Sequence, residues 1–132
     1  MTTSSSLSTE EIGEQIRAAF NDGDLSTVKG LLDPQVQWGP PGDEGWGCHN
    51  RREVLAWLGR ALSSGVRAEV RDVVAHGGKL LVGLRVHGRE TADRGGGAEE
   101  RWQVMTVRDG RIVDVRGFEG RAAAAAFAGV QR

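Results

Sequence analysis

The chain has a single cysteine, no tyrosine, only three prolines and no surplus of either charge among its 132 residues. One thiol, Cys48, excludes an internal disulfide and suits a reducing cytoplasm. Lys and Arg number 17 against 18 Asp and Glu, a formal net charge of −1. No basic stripe stands out, which argues against nucleic acid as a partner. No apolar run approaches the roughly 20 residues that a membrane-spanning helix needs, so no membrane partner is expected. The start, MTTSSSLSTEE, has neither a positive segment nor an apolar one and does not read as a secretory signal. Residues 1–7 read as a disordered lead-in and 8–128 as one domain. There is no internal repeat, no Gly-x-Ser-x-Gly and no paired-carboxylate motif. His49, His76 and His87 are dispersed, without metal-ligand spacing. Gly95, Gly96 and Gly97 precede no helix and so form a loop, not a phosphate cradle.

What is present is a regular order of elements. Ser8 and Glu11 have the spacing of a capping box, with Leu7 placed to staple against Ile12. Ile12, Ile16, Ala19 and Phe20 then form a helical stripe that Gly23 ends. Asp24 caps a shorter helix with Leu25, Val28, Leu31 and Leu32, stopped by Pro34. A short strand, Val36 to Trp38, leads to the loop GPPGDEGWGCH. Asn50 caps a third helix with Glu53 at its third position and Val54, Leu55, Leu58, Ala61 and Leu62 as its stripe; Trp57 lies beside it. Strands follow over Val66–Ala75 and Lys79–Glu90, the second with Leu80, Val82, Leu84 and Val86 on one face. The stretch EERWQVMTVRDGRIVDVRGFE predicts two more strands joined by Asp109-Gly110, which supplies the positive φ angles of a two-residue hairpin. An alanine-rich helix, Arg121 to Ala128, closes the chain. Helices followed by consecutive strands predict an α+β fold with a mostly antiparallel sheet.

The runs IRAAFNDGDLSTVKGLLDPQVQW, NRREVLAWL and WQVMTVRDGRIVDVRGF resemble the nuclear transport factor 2-like superfamily. Within it the chain is most similar to the SnoaL-like proteins of actinobacteria, over roughly residues 8 to 128. The resemblance implies a cone: a curved sheet wrapped around three N-terminal helices, with a short C-terminal helix and a pocket at one end. It also implies a homodimer formed through the sheet, a cofactor-free pocket and a small apolar or polycyclic ligand. Branches of the superfamily include cyclases, ketosteroid isomerases, epoxide hydrolases, dehydratases and non-catalytic domains, so fold does not fix function. Where the isomerase branch carries a tyrosine, an aspartate base and a protonated aspartic acid, this chain has Ile16, Gly39 and Val104. That mechanism, a carboxylate base with a neutral carboxylic acid, therefore lacks its groups here. The epoxide hydrolase branch uses an Asp-Arg-Asp cluster inside the pocket. Arg85, Asp114 and Arg116 match it in type but fall on the outer face by parity.

The same alignment implies that Val82, Leu84, Val86, Trp102, Val104, Thr106, Val113, Val115 and Gly117 face inward, either as pocket wall or as plain core. Trp102 offers a large flat ring and one donor to a ligand, and Trp38, Trp46 and Trp57 are further wall candidates. His49 is the leading catalytic candidate, because its ordinary pKa of about 6.5 suits proton transfer near neutrality; the competing reading is a loop histidine bonded to backbone or water. Glu119 is a second candidate base, or a surface partner of Arg121. Cys48 reads as a small buried hydrophobe rather than a nucleophile. Two functions follow: a cyclase, isomerase or hydrolase-like enzyme, or a non-catalytic ligand-binding or dimerisation domain.

Overall fold

The computed structural model describes residues 8–39, 47–88, 99–118 and 120–130. Helix α1, Thr9–Asp22, opens on the predicted capping box: Ser8 Oγ accepts the Glu11 amide at 3.1 Å and Glu11 Oε1 accepts the Ser8 amide at 2.8 Å. Gly23 ends it at φ 68°. Asp24 then caps α2, Leu25–Leu31, accepting both the amide and the hydroxyl of Thr27. Strand β1, Leu32–Gly39, is longer than predicted and contains Pro34. Proline is tolerated there because β1 is an edge strand, and its ladder to β5 skips between Leu32 and Gln37. Helix α3, Arg51–Ser63, starts at Asn50, whose side chain accepts the Glu53 amide at 2.9 Å.

Strands β2 (Arg67–His76), β3 (Lys79–His87), β4 (Glu99–Arg108) and β5 (Arg111–Phe118) complete a five-stranded sheet in the order β1-β5-β4-β3-β2. Only the β1–β5 pair is parallel. The β4–β5 turn is the predicted one, with Asp109 at φ 55° and Gly110 at φ 78°. Helix α4, Arg121–Ala128, packs back on β3, β4 and β5.

Apolar residues cover both sides of the sheet. The main core lies between α1–α3 and the inner face, and includes Ile12, Ile16, Val54, Leu80, Val82, Met105, Ile112 and Val115. A second core lies on the outer face, where Leu81 and Val104 meet Ala124, Ala125 and Ala128 of α4. This corrects the face assigned to β4. Met105 and Val107, not Val104 and Thr106, belong to the main core, and Thr106 Oγ1 instead accepts from Lys79 Nζ at 3.2 Å. The cause is a bulge: Val107 pairs with Ile112 but Thr106 with Asp114, so Val113 is an extra residue. A one-residue slip exchanges the faces of every side chain beyond it. Val115 and Gly117 keep the predicted inward side, now opposite Met105 and Gln103.

Candidate functional site

A cavity of about 1060 Å³ opens between the C-terminal end of α1, the flank of α3 and the inner face of the sheet. Its walls are mainly apolar: Phe20 from α1, Trp38 from β1, Ala56 and Trp57 from α3, and Leu84 and Val86 from β3. Trp38 and Trp57 meet edge to face, with ring centroids 6.0 Å apart. Trp38 is 7 % exposed and Trp57 44 %, so one ring is wall and the other stands in the opening. Arg60 and Glu53 add charge from α3, and Gln103 a neutral polar group from β4.

The segment before α3 places Cys48 and His49 at this cavity. Trp38 and Cys48 exchange both backbone hydrogen bonds, at 2.9 and 2.8 Å, in an isolated antiparallel bridge. Gly47 makes that approach possible: it sits at φ 86°, and a Cβ there would strike the Trp38 carbonyl. Next in the chain, the His49 amide donates to Glu53 Oε1 at 2.8 Å, and His49 Nδ1 lies 3.5 Å from the same oxygen. Glu53 thus reaches back past its cap residue, as a third-position helix glutamate can, and places a carboxylate against one imidazole nitrogen. At 3.5 Å the contact to the ring is electrostatic and longer than the hydrogen bond that the same oxygen accepts from the backbone amide. The two side chains are 48 % and 49 % exposed. Burial pushes the Cys48 thiol above its ordinary range, the Glu53 charge adds to the shift, and Arg60 opposes it. Cys48 is therefore a protonated, half-buried thiol at neutral pH.

The predicted site residues divide accordingly. His49, Trp38, Trp57 and Leu84 border the cavity. Val82 and Val115 face inward but are fully buried in the core. Val104 lies under α4 and Thr106 on the same side, away from the cavity. Trp102 borders the cavity, yet its indole covers Gly83 on the outer face, where a Cβ would come within 2.8 Å of the ring, and Arg121 stands 5.6 Å from its centroid. Trp46 and Glu119 lie outside the described residues. The sequence reading missed Glu53 and Gln103. Glu53 reads from sequence as a helix cap, although it lies four residues from His49; Gln103 is hidden by the bulge. Among the described residues no three His, Cys, Asp or Glu side chains gather as a metal site.

The SnoaL-like domain model matches residues 14–115 of the chain. The chain belongs to the SnoaL-like family. Several solved structures share the fold at low identity. IdmH of Streptomyces antibioticus, described as a proposed polyketide cyclase, is 22 % identical with a TM-score of 0.65, covering 94 % of this chain and 100 % of its own. A proposed polyketide cyclase of Pseudomonas putida is 21 % identical at TM-score 0.67, covering 86 % and 92 %. An NTF2-like protein of unknown function from Cytophaga hutchinsonii is 9 % identical at TM-score 0.68, covering 92 % and 97 %. No curated protein matches the sequence. For this SnoaL-like chain, the isomerase comparison changes at one point: Val104 is covered by α4, and the neighbouring residue that borders the cavity is Gln103. Ile16 is core and Gly39 borders the cavity, so none of the three positions offers an acid.

Proposed function

We propose that this SnoaL-like protein binds an apolar, polycyclic small molecule in the cavity and moves protons on it without a cofactor, in a ring closure, isomerisation or hydrolase-like elimination. The observation that carries this reading is the His49–Glu53 pair at the edge of a large apolar cavity. In the proposed chemistry His49 takes and returns the proton, Glu53 orients the imidazole, and Trp38 and Trp57 hold a flat ligand. The proposed cyclase function of similarly folded proteins points the same way. A second reading, a non-catalytic binding domain, is favoured by the exposure of that same pair, about half of each side chain. The protein is further proposed to work in the cytoplasm, where Cys48 stays reduced, and as a homodimer through the outer face of its sheet. Among the described residues no helix is long and apolar enough to cross a membrane.

The test is a screen of flat polycyclic ketones, alcohols and small apolar acids, following tryptophan fluorescence and melting temperature together. A ligand of the cavity should quench Trp38 and Trp57 and raise the melting point through binding linkage. On a ligand that is turned over, His49→Ala should lower kcat by about 10²–10⁴-fold with the melting temperature held. Glu53→Gln should cost less. Binding with no turnover, or turnover unchanged in His49→Ala, would leave the non-catalytic reading or remove His49 from the chemistry.

A further inference from the structure

One side chain on the inner face of the sheet is at odds with its surroundings. Of the inward residues of β4, Met105 and Val107 enter the main core, whereas Gln103 borders the cavity. Gln103 Oε1 is buried, and among the described residues it is the one buried side-chain nitrogen or oxygen without a hydrogen-bond partner. A carboxamide oxygen shut off from both water and donors destabilises a fold, and an apolar side chain of the same size would not. Its two cross-strand neighbours differ. Val82 is fully buried core, while a Cβ on Gly117 would meet nothing within 4 Å. Open space therefore lies beside the carboxamide on the cavity side. The terminal torsion of glutamine is broad, so the group can turn over Gly117 without moving the strand.

We propose that Gln103 determines specificity by reading a hydroxyl on the ligand. The end of the ligand that reaches the floor of the cavity carries an alcohol or phenol whose O–H donates to Gln103 Oε1. A hydroxyl donates to Oε1, the atom without a partner; a ketone can only accept from the nitrogen and leaves Oε1 unmet, and a hydrocarbon does neither. The inference rests on the cavity being the ligand site.

Two matched sets test it: androstane with its 3-hydroxy and 3-keto derivatives, and tetralin with 2-tetralol and 2-tetralone. Each is titrated against the wild-type protein, Gln103→Leu and Gln103→Met, with melting temperatures measured alongside. In at least one set the alcohol should bind the wild type about 5–150-fold more tightly than its ketone and hydrocarbon. Both variants should lose that preference, bind the hydrocarbon at least as well, and melt at or above the wild-type temperature because the orphaned oxygen is gone. A purely structural glutamine would instead lower the melting point in both variants and leave the preference in place. Equal binding across each set, or tighter binding of the ketones, overturns the assignment while the ligand pocket stands. Failure of all six compounds to bind the wild type removes the pocket reading, and the hydroxyl inference with it.

Discussion

At the level of single residues the segment before α3 brings three different groups to the edge of the cavity. Gly47, Cys48 and His49 each do something different: one permits the backbone approach to Trp38, one buries a thiol, one meets Glu53. Gly47→Ala puts a Cβ into the Trp38 carbonyl at a left-handed φ. It should cost at least about 1–3 kcal/mol of stability in urea unfolding, the usual scale for such backbone strain. Cys48 allows a prediction with a definite sign. Its thiol holds its proton to a higher pH in the fold than in the unfolded chain. That contribution to stability is complete below the ordinary cysteine range and is lost as pH rises through the raised folded value. Urea midpoints at pH 7 and pH 10 should therefore fall further apart for the wild type than for Cys48→Ala. Iodoacetamide should modify the native protein at pH 7.5 more slowly than the urea-unfolded chain; equal rates would show that the thiol is not sheltered. His49 was legible as a candidate because histidine is the residue type whose ordinary pKa suits proton transfer near neutrality. Its pairing with Glu53 was not, since the same glutamate also explains a helix start.

At the level of elements the helix caps were readable because each is local: Ser8 with Glu11, Asp24 with Thr27, and Asn50 with Glu53 lie three residues apart. The hairpin turn was equally local. The β4–β5 bulge was not. A regular Asp109-Gly110 hairpin sets Val104 opposite Val115, and only the extra residue at Val113 brings Met105 there instead. Apolar alternation could not reveal the slip, because α4 covers the outer face and both sides of β4 are apolar. That single bulge accounts for the misplacement of Val104 and Thr106 and for overlooking Gln103. Another long-range link was equally invisible: Asn21, at the end of α1, accepts the Val70 amide at 2.7 Å across 49 residues. Val70 is buried in β2, beside its register shift, and the sheet ends at that strand, so no further strand lies there to replace Asn21. Asn21→Leu should cost about 1–3 kcal/mol in urea unfolding by leaving that amide unmet, and Asn21→Asp, which keeps an acceptor, should cost less. Equal losses in the two variants would show that shape, not the hydrogen bond, matters at position 21.

At the level of the whole molecule the sheet separates two different tasks. Its inner face closes the core at one end and floors the cavity at the other; its outer face is sealed by α4 over Leu81 and Val104. The seal leaves Phe127 on top of the helix, 45 % exposed, with Phe118 5.3 Å from it and Lys79 Nζ 5.5 Å from its ring. Trp57 and Phe127 are the exposed large hydrophobic residues among those described, and Trp57 already belongs to the cavity opening. A dimer formed through the outer face would cover Phe127 by packing α4 against its counterpart. Sedimentation at micromolar concentration should then give about twice the 14.2 kDa of one chain. Phe127→Asp should halve that mass, because an isologous contact places the new charge against itself. Its far-ultraviolet circular dichroism should stay unchanged, which separates a split dimer from an unfolded one. A wild-type monomer under those conditions would end the dimer proposal and leave α4 as the sole cover of the sheet. The cavity would then have to work within one chain, and ligand binding should be independent of protein concentration.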